Sequence, residues 1–408
     1  MNTPWKTDKW FVSPLNYDSE VTSKFNFPEK IKIHDITLRD GEQQAGLVFN
    51  KEEKIAIAEK LAEAGVHRIE MGMPAVSKQD QQAITEAAKR NLGAEIFCFS
   101  RCMIDDVKRA VDCGVDGIVV EIPASEHIIE HAYRWPLQKA IDLSIEATSF
   151  ARDNGLYTVY FTIDATRADL NWVLNLIEKV ATEGHMDALA IVDTFGVLSP
   201  HAVSFIVKKI KERIDKPLEA HFHNDFGLGT ANTLIALAEG VEVAHTSVSA
   251  TGERAGNASL EEVVLTLLTM YGMDIGIKTE KLYSLSKFVL GKIPGYKIAT
   301  NRPIVGEKLY NVESGIIVDW IRKCGDKHIL EAFPYHWDLV GQNPPEIVLG
   351  KGSGLPSVGE KLEKMGIKGL DEKTEEKILL EVKEKSLAKK GLLDSEEFEQ
   401  IVKKCINK

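Results

Sequence analysis

His221 and His223 lie two residues apart in HFHND (221–225), inside a run that reads as a β-strand. In a strand, residues i and i+2 face the same way, so both imidazoles point to one side. An isolated His-x-His pair is weak evidence for a metal. It gains force from Asp40, which ends another strand-like run in TLRDGEQQAG (37–46) beside Arg39. Two imidazoles and one carboxylate with open positions suit a divalent ion such as Mn, Zn, Mg, Co or Fe, the open positions taking substrate oxygens. A third segment, TGERAGNASLEE (251–262), adds Asn257, whose side-chain oxygen can be offered to the same ion. Gly252 and Gly256 allow tight backbone paths there, and Ala258-Ser259 begins a helix with Glu261 and Glu262 in its first turn.

These three segments meet only if the fold brings them together. From Lys30 onward, short β-rich runs alternate with amphipathic stretches. Strands are expected at 31–38, 67–73, 95–100, 117–122, 157–163, 188–194, 218–224 and 242–249, with helical runs such as 51–65 and 259–272. Eight such repeats over roughly 250 residues match a (β/α)8 TIM barrel, an α/β fold whose active groups sit at the C-terminal strand ends. The same alternation could build an open doubly wound sheet, but no GxGxxG follows the first strand. Closing the barrel makes the first and seventh strands near neighbours. Residues 1–29 then form an N-terminal arm, 30–285 the catalytic barrel, 286–345 a linker subdomain with turn signals, and 346–408 a helical C-terminal subdomain with alternating Lys and Glu.

The chain has 408 residues, 44% hydrophobic and 27% charged, with a net charge of −11. That balance suits a soluble globular protein and argues against a general nucleic-acid binder. No apolar run approaches the roughly 18 residues of a membrane span, and the first residues lack the apolar core of a secretion signal. The five cysteines form no CxxC pair, which suggests free thiols in a reducing, cytoplasmic setting.

Taken together, LRDGEQ (38–43), IEMGMPAVS (69–77), VDTFG (192–196), HFHNDFGLGTANT (221–233) and GERAGNASLEEV (252–263) resemble the DRE-TIM metallolyase superfamily. The resemblance is to its Claisen-condensing branch of 2-isopropylmalate, homocitrate, citramalate and Re-type citrate synthases. RPIVGE (302–307), ESGI (313–316) and VLGKGSG (348–354) look like pieces of that branch's C-terminal subdomains, so the resemblance covers roughly residues 30–408. It implies a metal-dependent condensation of acetyl-CoA with a 2-oxo acid, giving a 2-hydroxy-2-alkyl dicarboxylic or tricarboxylic acid and CoA. It also implies that Asp40, His221 and His223 hold the metal, with Asn257 on it or near it, and that Arg39 is the electrostatic catalyst. Thr194 would bind the substrate carboxylate, Gln43 and Glu70 would line the site, and a homodimer is expected.

A second branch, similar to HMG-CoA lyase, cleaves a CoA thioester with a Cys in the loop after the eighth strand; this chain has Arg254 and no Cys there. Two departures mark the condensing pattern. Ile317 stands where the branch carries a His after the ESGI turn, which also leaves open a barrel that keeps its metal with altered catalysis. The fifth strand ends YFTIDATR (160–167) rather than in an FSxED-like run, so Asp164 is the first candidate for the base, ahead of Tyr335 and His336. Met73 and Met103 either shape an apolar pocket or simply fill the barrel. An extended carboxylate substrate would want a further cation, and Arg101 or Arg167 could serve.

Overall fold

All eight expected strands form, and each pairs in parallel with the next until the eighth closes on the first. In the computed structural model, which describes residues 3–406, they are β1 Lys32–Asp35, β2 Arg68–Glu70, β3 Glu95–Arg101, β4 Gly117–Pro123, β5 Tyr157–Ile163, β6 Ala188–Asp193, β7 Leu218–Phe222 and β8 Val243–Thr246. After them come, in turn, α1 Lys51–Glu63, α2 Lys78–Lys89, α3 Ile104–Cys113, α4 Leu137–Asp153, α5 Leu170–Glu183, α6 Pro200–Lys211, α7 Gly229–Ala238 and α8 Leu260–Met270. The fold is a (β/α)8 TIM barrel.

Local chemistry sets where elements start and stop. Asp35 ends β1 earlier than the apolar pattern suggests, because its carboxylate accepts from the Thr37 N–H at 3.0 Å and the Thr37 hydroxyl at 3.1 Å. Asn50 and Glu53 form a reciprocal capping box at the start of α1. Gly117 opens β4 because a Cβ there would lie 2.3 Å from the Phe97 ring.

The barrel interior has two halves. From β3 to β6 it is apolar, with Phe97, Phe99, Val119, Val159, Phe161 and Val192 in one cluster. From β7 through β8 to β2 it is polar, with Glu219, His221, His245, His34, Arg68 and Glu70 all buried. Burying such groups costs several kcal/mol each unless they are paired. They are: Arg68 donates to Glu219 at 2.7 Å, His245 meets Glu219 at 2.7 Å, and His34 meets Glu70 at 3.1 Å.

The chain divides into two compact units, Leu15–Lys297 and Ile298–Lys408 with the residues up to Pro14. The expected arm is therefore shared out. Its first part adheres to the C-terminal region: Trp10 pairs with Tyr335, the Phe11 N–H donates to the Pro334 carbonyl, and Lys6 and Lys9 bond Glu331 and Asp338. Its later part joins the barrel, where the Tyr17 hydroxyl donates to the Thr269 carbonyl. Within the C-terminal unit, Asn311–Val312 pairs with Glu346–Ile347, which ties the expected linker to the expected tail. Ile317 packs there against a cluster of Val312, Val318 and Ile347. His336 stacks on Trp337 and bonds Asp338 at 2.6 Å. The tail helices bury Val358, Leu362, Ile378, Val382, Phe398 and Val402 against one another. All five cysteines are free, and no helix among the described residues is long and apolar enough to cross a membrane.

Candidate metal centre and cavity

Asp40 follows β1, and His221 and His223 lie at the end of β7. Their ligand atoms converge: His221 Nε2 is 3.3 Å from His223 Nε2, and Asp40 Oδ2 is 3.5 Å from the first and 3.7 Å from the second. Metal–nitrogen and metal–oxygen bonds near 2.1 Å imply ligand separations of about 3–3.5 Å, so the three atoms stand close to the edges of one coordination shell. All three residues are buried. Burial pushes the Asp40 carboxyl up, but Arg39, His221 and His223 outweigh it and hold it well below the usual carboxylate range. Burial also lowers His221 to about 3, so its imidazole is neutral and a lone pair is available.

The loop after β8 completes the centre. Its path is contorted, with Ser249, Ala250, Arg254, Gly252 and Gly256 all at positive φ. A Cβ on Gly256 would lie 1.8 Å from the Ala250 carbonyl oxygen, and one on Gly252 2.2 Å from Asn257 Nδ2. Only glycine lets this loop close on itself. Asn257 Nδ2 then donates to Asp40 Oδ1 at 2.8 Å, while its Oδ1 is buried without a partner. That orphaned acceptor, beside one carboxylate and two imidazoles, is what a divalent cation would satisfy. Ser259 caps α8 as expected, and Glu261 in its first turn accepts from the Ser249 N–H and hydroxyl.

A hydrogen-bonded chain fixes how His221 presents itself. Burial pushes Glu219 up, but its bond to His245 and the Arg68 charge prevail and bring it to about 2, so it is an acceptor. His245 Nε2 must therefore carry the proton bonded to Glu219 at 2.7 Å. His245 Nδ1 is left to accept from His221 Nδ1–H at 3.3 Å, and His221 Nε2 faces the centre unprotonated. His34, Glu219 and His245 also gather ligand-type atoms. There the two rings stack at 4.4 Å and 18°, so their lone pairs do not converge, and Glu219 is already taken by His245 and Arg68.

Arg39 lies beside the triad. Its Nε is bonded to Glu70, its Nη1 donates to Asp40 at 2.9 Å, and its plane lies over Phe99 at 4.0 Å from the ring centroid. Nη2 has no partner. Burial pushes Glu70 up, but Arg39 and His34 overcome it and bring it to about 2. Glu70 thus holds Arg39 from behind and is not on the cavity wall. The cavity, about 740 Å³, is walled by Arg39, Asp40, Gln43, Thr194, His221 and His223, with Met73, Phe99, Phe161, Ile163 and Val192 as its apolar side.

Besides Glu70, two further expected site residues lie elsewhere. Arg101 turns outward onto Asp106, at 2.6 and 3.1 Å, and does not line the cavity. Asp164 is fully buried at φ 62°, its carboxylate filled by Arg167 at 2.5 and 3.0 Å, Ser125 at 2.6 Å and His127 at 3.0 Å. Strand alternation gives the reason: Phe161 and Ile163 of β5 face inward, so the next residue turns away from the cavity. Asp164→Asn is expected to lower stability by about 1–3 kcal/mol through these bonds, with turnover per folded molecule within about twofold of wild type. A thermal melt and an active-site-normalised rate check this. A large loss of rate at unchanged stability would return Asp164 to the chemistry.

Residues that sequence reading misses include Glu219, His245 and Glu121. Glu219 shares the parity of His221 and His223 in LEAHFHN, and Glu121 shares that of Val119 in GIVVEIP. Period two is the signal that could find them.

A closed (β/α)8 barrel with this carboxylate–imidazole set at its C-terminal face defines a barrel enzyme. The family described as HMGL-like matches residues 30–289, and the chain belongs to that family, within the synthase-like DRE-TIM branch of acyltransferases. It is 37% identical to the homocitrate synthase of Methanothermobacter thermautotrophicus over 97% of this chain and 98% of that one. It is 38% identical to the 2-isopropylmalate synthase of Methanocaldococcus jannaschii over 84% of this chain and 65% of that one. The same organism's (R)-citramalate synthase is 38% identical over 87% and 70%. Among solved structures, the HMG-CoA lyase of Bacillus subtilis superposes with a TM-score of 0.59 at 23% identity, over 65% of this chain and 95% of that one; this likeness concerns the fold.

Proposed function

We propose that the enzyme condenses acetyl-CoA with a short 2-oxo acid lacking a second carboxylate, releasing CoA and a 2-hydroxy-2-alkyl dicarboxylic acid. One observation carries this reading: the partnerless Arg39 Nη2 and the converging Asp40, His221 and His223 share one cavity with an apolar wall. Asp40, His221 and His223, with Asn257 beside them, would hold a divalent ion, which supplies Lewis-acid polarisation of the ketone when bound. Thr194 meets the substrate carboxylate. Met73, Phe99, Phe161 and Ile163 take the alkyl group and exclude water. Arg39 donates from Nη2 to the oxygen on which negative charge develops. The preference for a monocarboxylate rests on Arg101 and Arg167, which are engaged by Asp106 and Asp164, and on Glu121, an acid on the cavity wall.

The test is CoA release, followed with a thiol reagent, from acetyl-CoA and a panel of pyruvate, 2-oxobutyrate, 2-oxoisovalerate, oxaloacetate and 2-oxoglutarate. Release with one of the first three supports the reading. Release with none of the five removes it, and a preference for 2-oxoglutarate or oxaloacetate removes the substrate class. The histidine chain gives a separate expectation. Glu219→Gln frees His245 from its required tautomer and should weaken divalent-metal binding about 10–100-fold. Competition titration with a fluorescent chelator measures it, and unchanged affinity would disconnect Glu219 from the centre.

A further inference from the structure

The cavity wall carries Asp40, Glu42, Asp80, Glu121 and Glu253 as its acidic side chains. Asp40 belongs to the triad. Glu42 and Asp80 both pair with Lys54 at 2.5 Å. Glu253 is half exposed and pairs with Arg254 at 3.4 Å. Of these acids, Glu121 alone has no side-chain hydrogen bond or ion pair among the described residues. It sits on β4 one interior position above Val119, opposite Phe161 of β5 and Arg101 of β3.

We propose that Glu121 is the general base that takes a proton from the methyl group of acetyl-CoA; this rests on the condensation proposed above. The methyl C–H bond breaks, its proton goes to a Glu121 carboxylate oxygen, and its electron pair forms the enolate. The enolate carbon bonds the ketone carbon of the 2-oxo acid, and the ketone π pair moves to oxygen. Glu121 returns the proton to that oxygen, giving the tertiary alcohol. Water then cleaves the thioester to a carboxylic acid and CoA thiol. Glu121 ends as it began.

The surroundings suit the task. Burial pushes the carboxyl up to about 7, against the opposing pull of Arg39 and Arg101. Asp106 and Glu70 raise it further, and Tyr133 and Cys102 are the other titratable groups that feel its charge. A base with a value near the working pH combines adequate ionisation with driving force for proton transfer. Phe161, its cross-strand neighbour, and Phe99 make the cavity wall beside it apolar.

The experiment compares wild type, Glu121→Gln and Glu121→Asp as full-length, metal-loaded protein. Two readouts are taken: CoA release with the best oxo acid of the panel, and deuterium uptake into the acetyl-CoA methyl group in D2O with oxamate as an unreactive oxo-acid mimic. Glu121→Gln is expected to lower kcat at least about 100-fold, to abolish methyl exchange, and to leave the KM for the oxo acid within threefold and the metal content unchanged. Glu121→Asp, which keeps the acid but shortens its reach, should retain measurable exchange and serves if the Gln variant does not fold. A Gln variant with wild-type kcat and exchange, or one with raised KM and unchanged kcat, overturns the proposal, the latter making Glu121 a substrate-binding group. An Asp variant identical to wild type in both readouts overturns it as well. No CoA release by wild type on the whole panel removes the condensation itself and this role with it, which separates the two failures.

Discussion

His221→Ala is expected to lose bound divalent metal and to reduce turnover by more than about a thousandfold, roughly 4 kcal/mol of barrier. The reason is geometric as well as chemical. His221 Nε2 is the atom closest to both other ligand atoms, at 3.3 Å from His223 and 3.5 Å from Asp40. Its removal leaves one imidazole and one carboxylate, and that carboxylate is already bonded by Arg39 and Asn257. It also ends the Glu219–His245–His221 chain, so His245 Nδ1 loses its donor inside a buried network. Elemental analysis of the purified variant, beside its CoA-release rate, decides the matter. Full metal occupancy after the substitution would sink the assignment of the centre.

The second large effect belongs to Arg39→Lys. The charge is kept, but a lysine has one nitrogen and no planar fork. Arg39 uses Nε for Glu70, Nη1 for Asp40 and its face for Phe99, which leaves Nη2 aimed without a partner. A single ammonium cannot keep the first two bonds and also present a fixed donor to a developing oxyanion. Loss of one such donor costs about 10²–10³ in kcat, or roughly 2.7–4 kcal/mol. Metal content should persist, because Asp40, His221 and His223 remain. The diagnostic is the split between kcat and KM: a fall in kcat with KM for the oxo acid little changed supports transition-state stabilisation. A kcat within threefold of wild type would reduce Arg39 to a structural partner of Glu70.

Much of this centre is legible in the amino-acid sequence. Asp40, His221, His223 and Asn257 stand out because their chemistry is unusual for strand ends and because strand periodicity states which way each faces. The eight strands are legible for the same reason, and only their ends shift, where Asp35 captures Thr37 and where the loop after β8 turns early at Val248. The departures have two causes. Arg101 shares the inward parity of Phe97 and Phe99, but at the last position of β3 its long side chain is drawn out by Asp106. For Asp164 the cause is register, because at a strand end a one-residue difference reverses the direction of the side chain. Asp164 falls just past inward-facing Ile163 and turns to Arg167, Ser125 and His127.

The sequence alone therefore determined the barrel and the set of ligand-type side chains, since these depend on residue type and on a period of two or of 3.6, while the class of chemistry came from the resemblance of its motifs to a family. Which acid is free was decided only by tertiary structure. Glu42, Asp80, Asp164 and Glu121 look alike in a sequence, but three of them are neutralised by cations that the fold places against them: Lys54 for the first two and Arg167 for Asp164. Glu121 is left unpaired on the cavity wall. Ion pairing depends on distances of a few ångströms between residues far apart in the chain, and no local pattern carries that information.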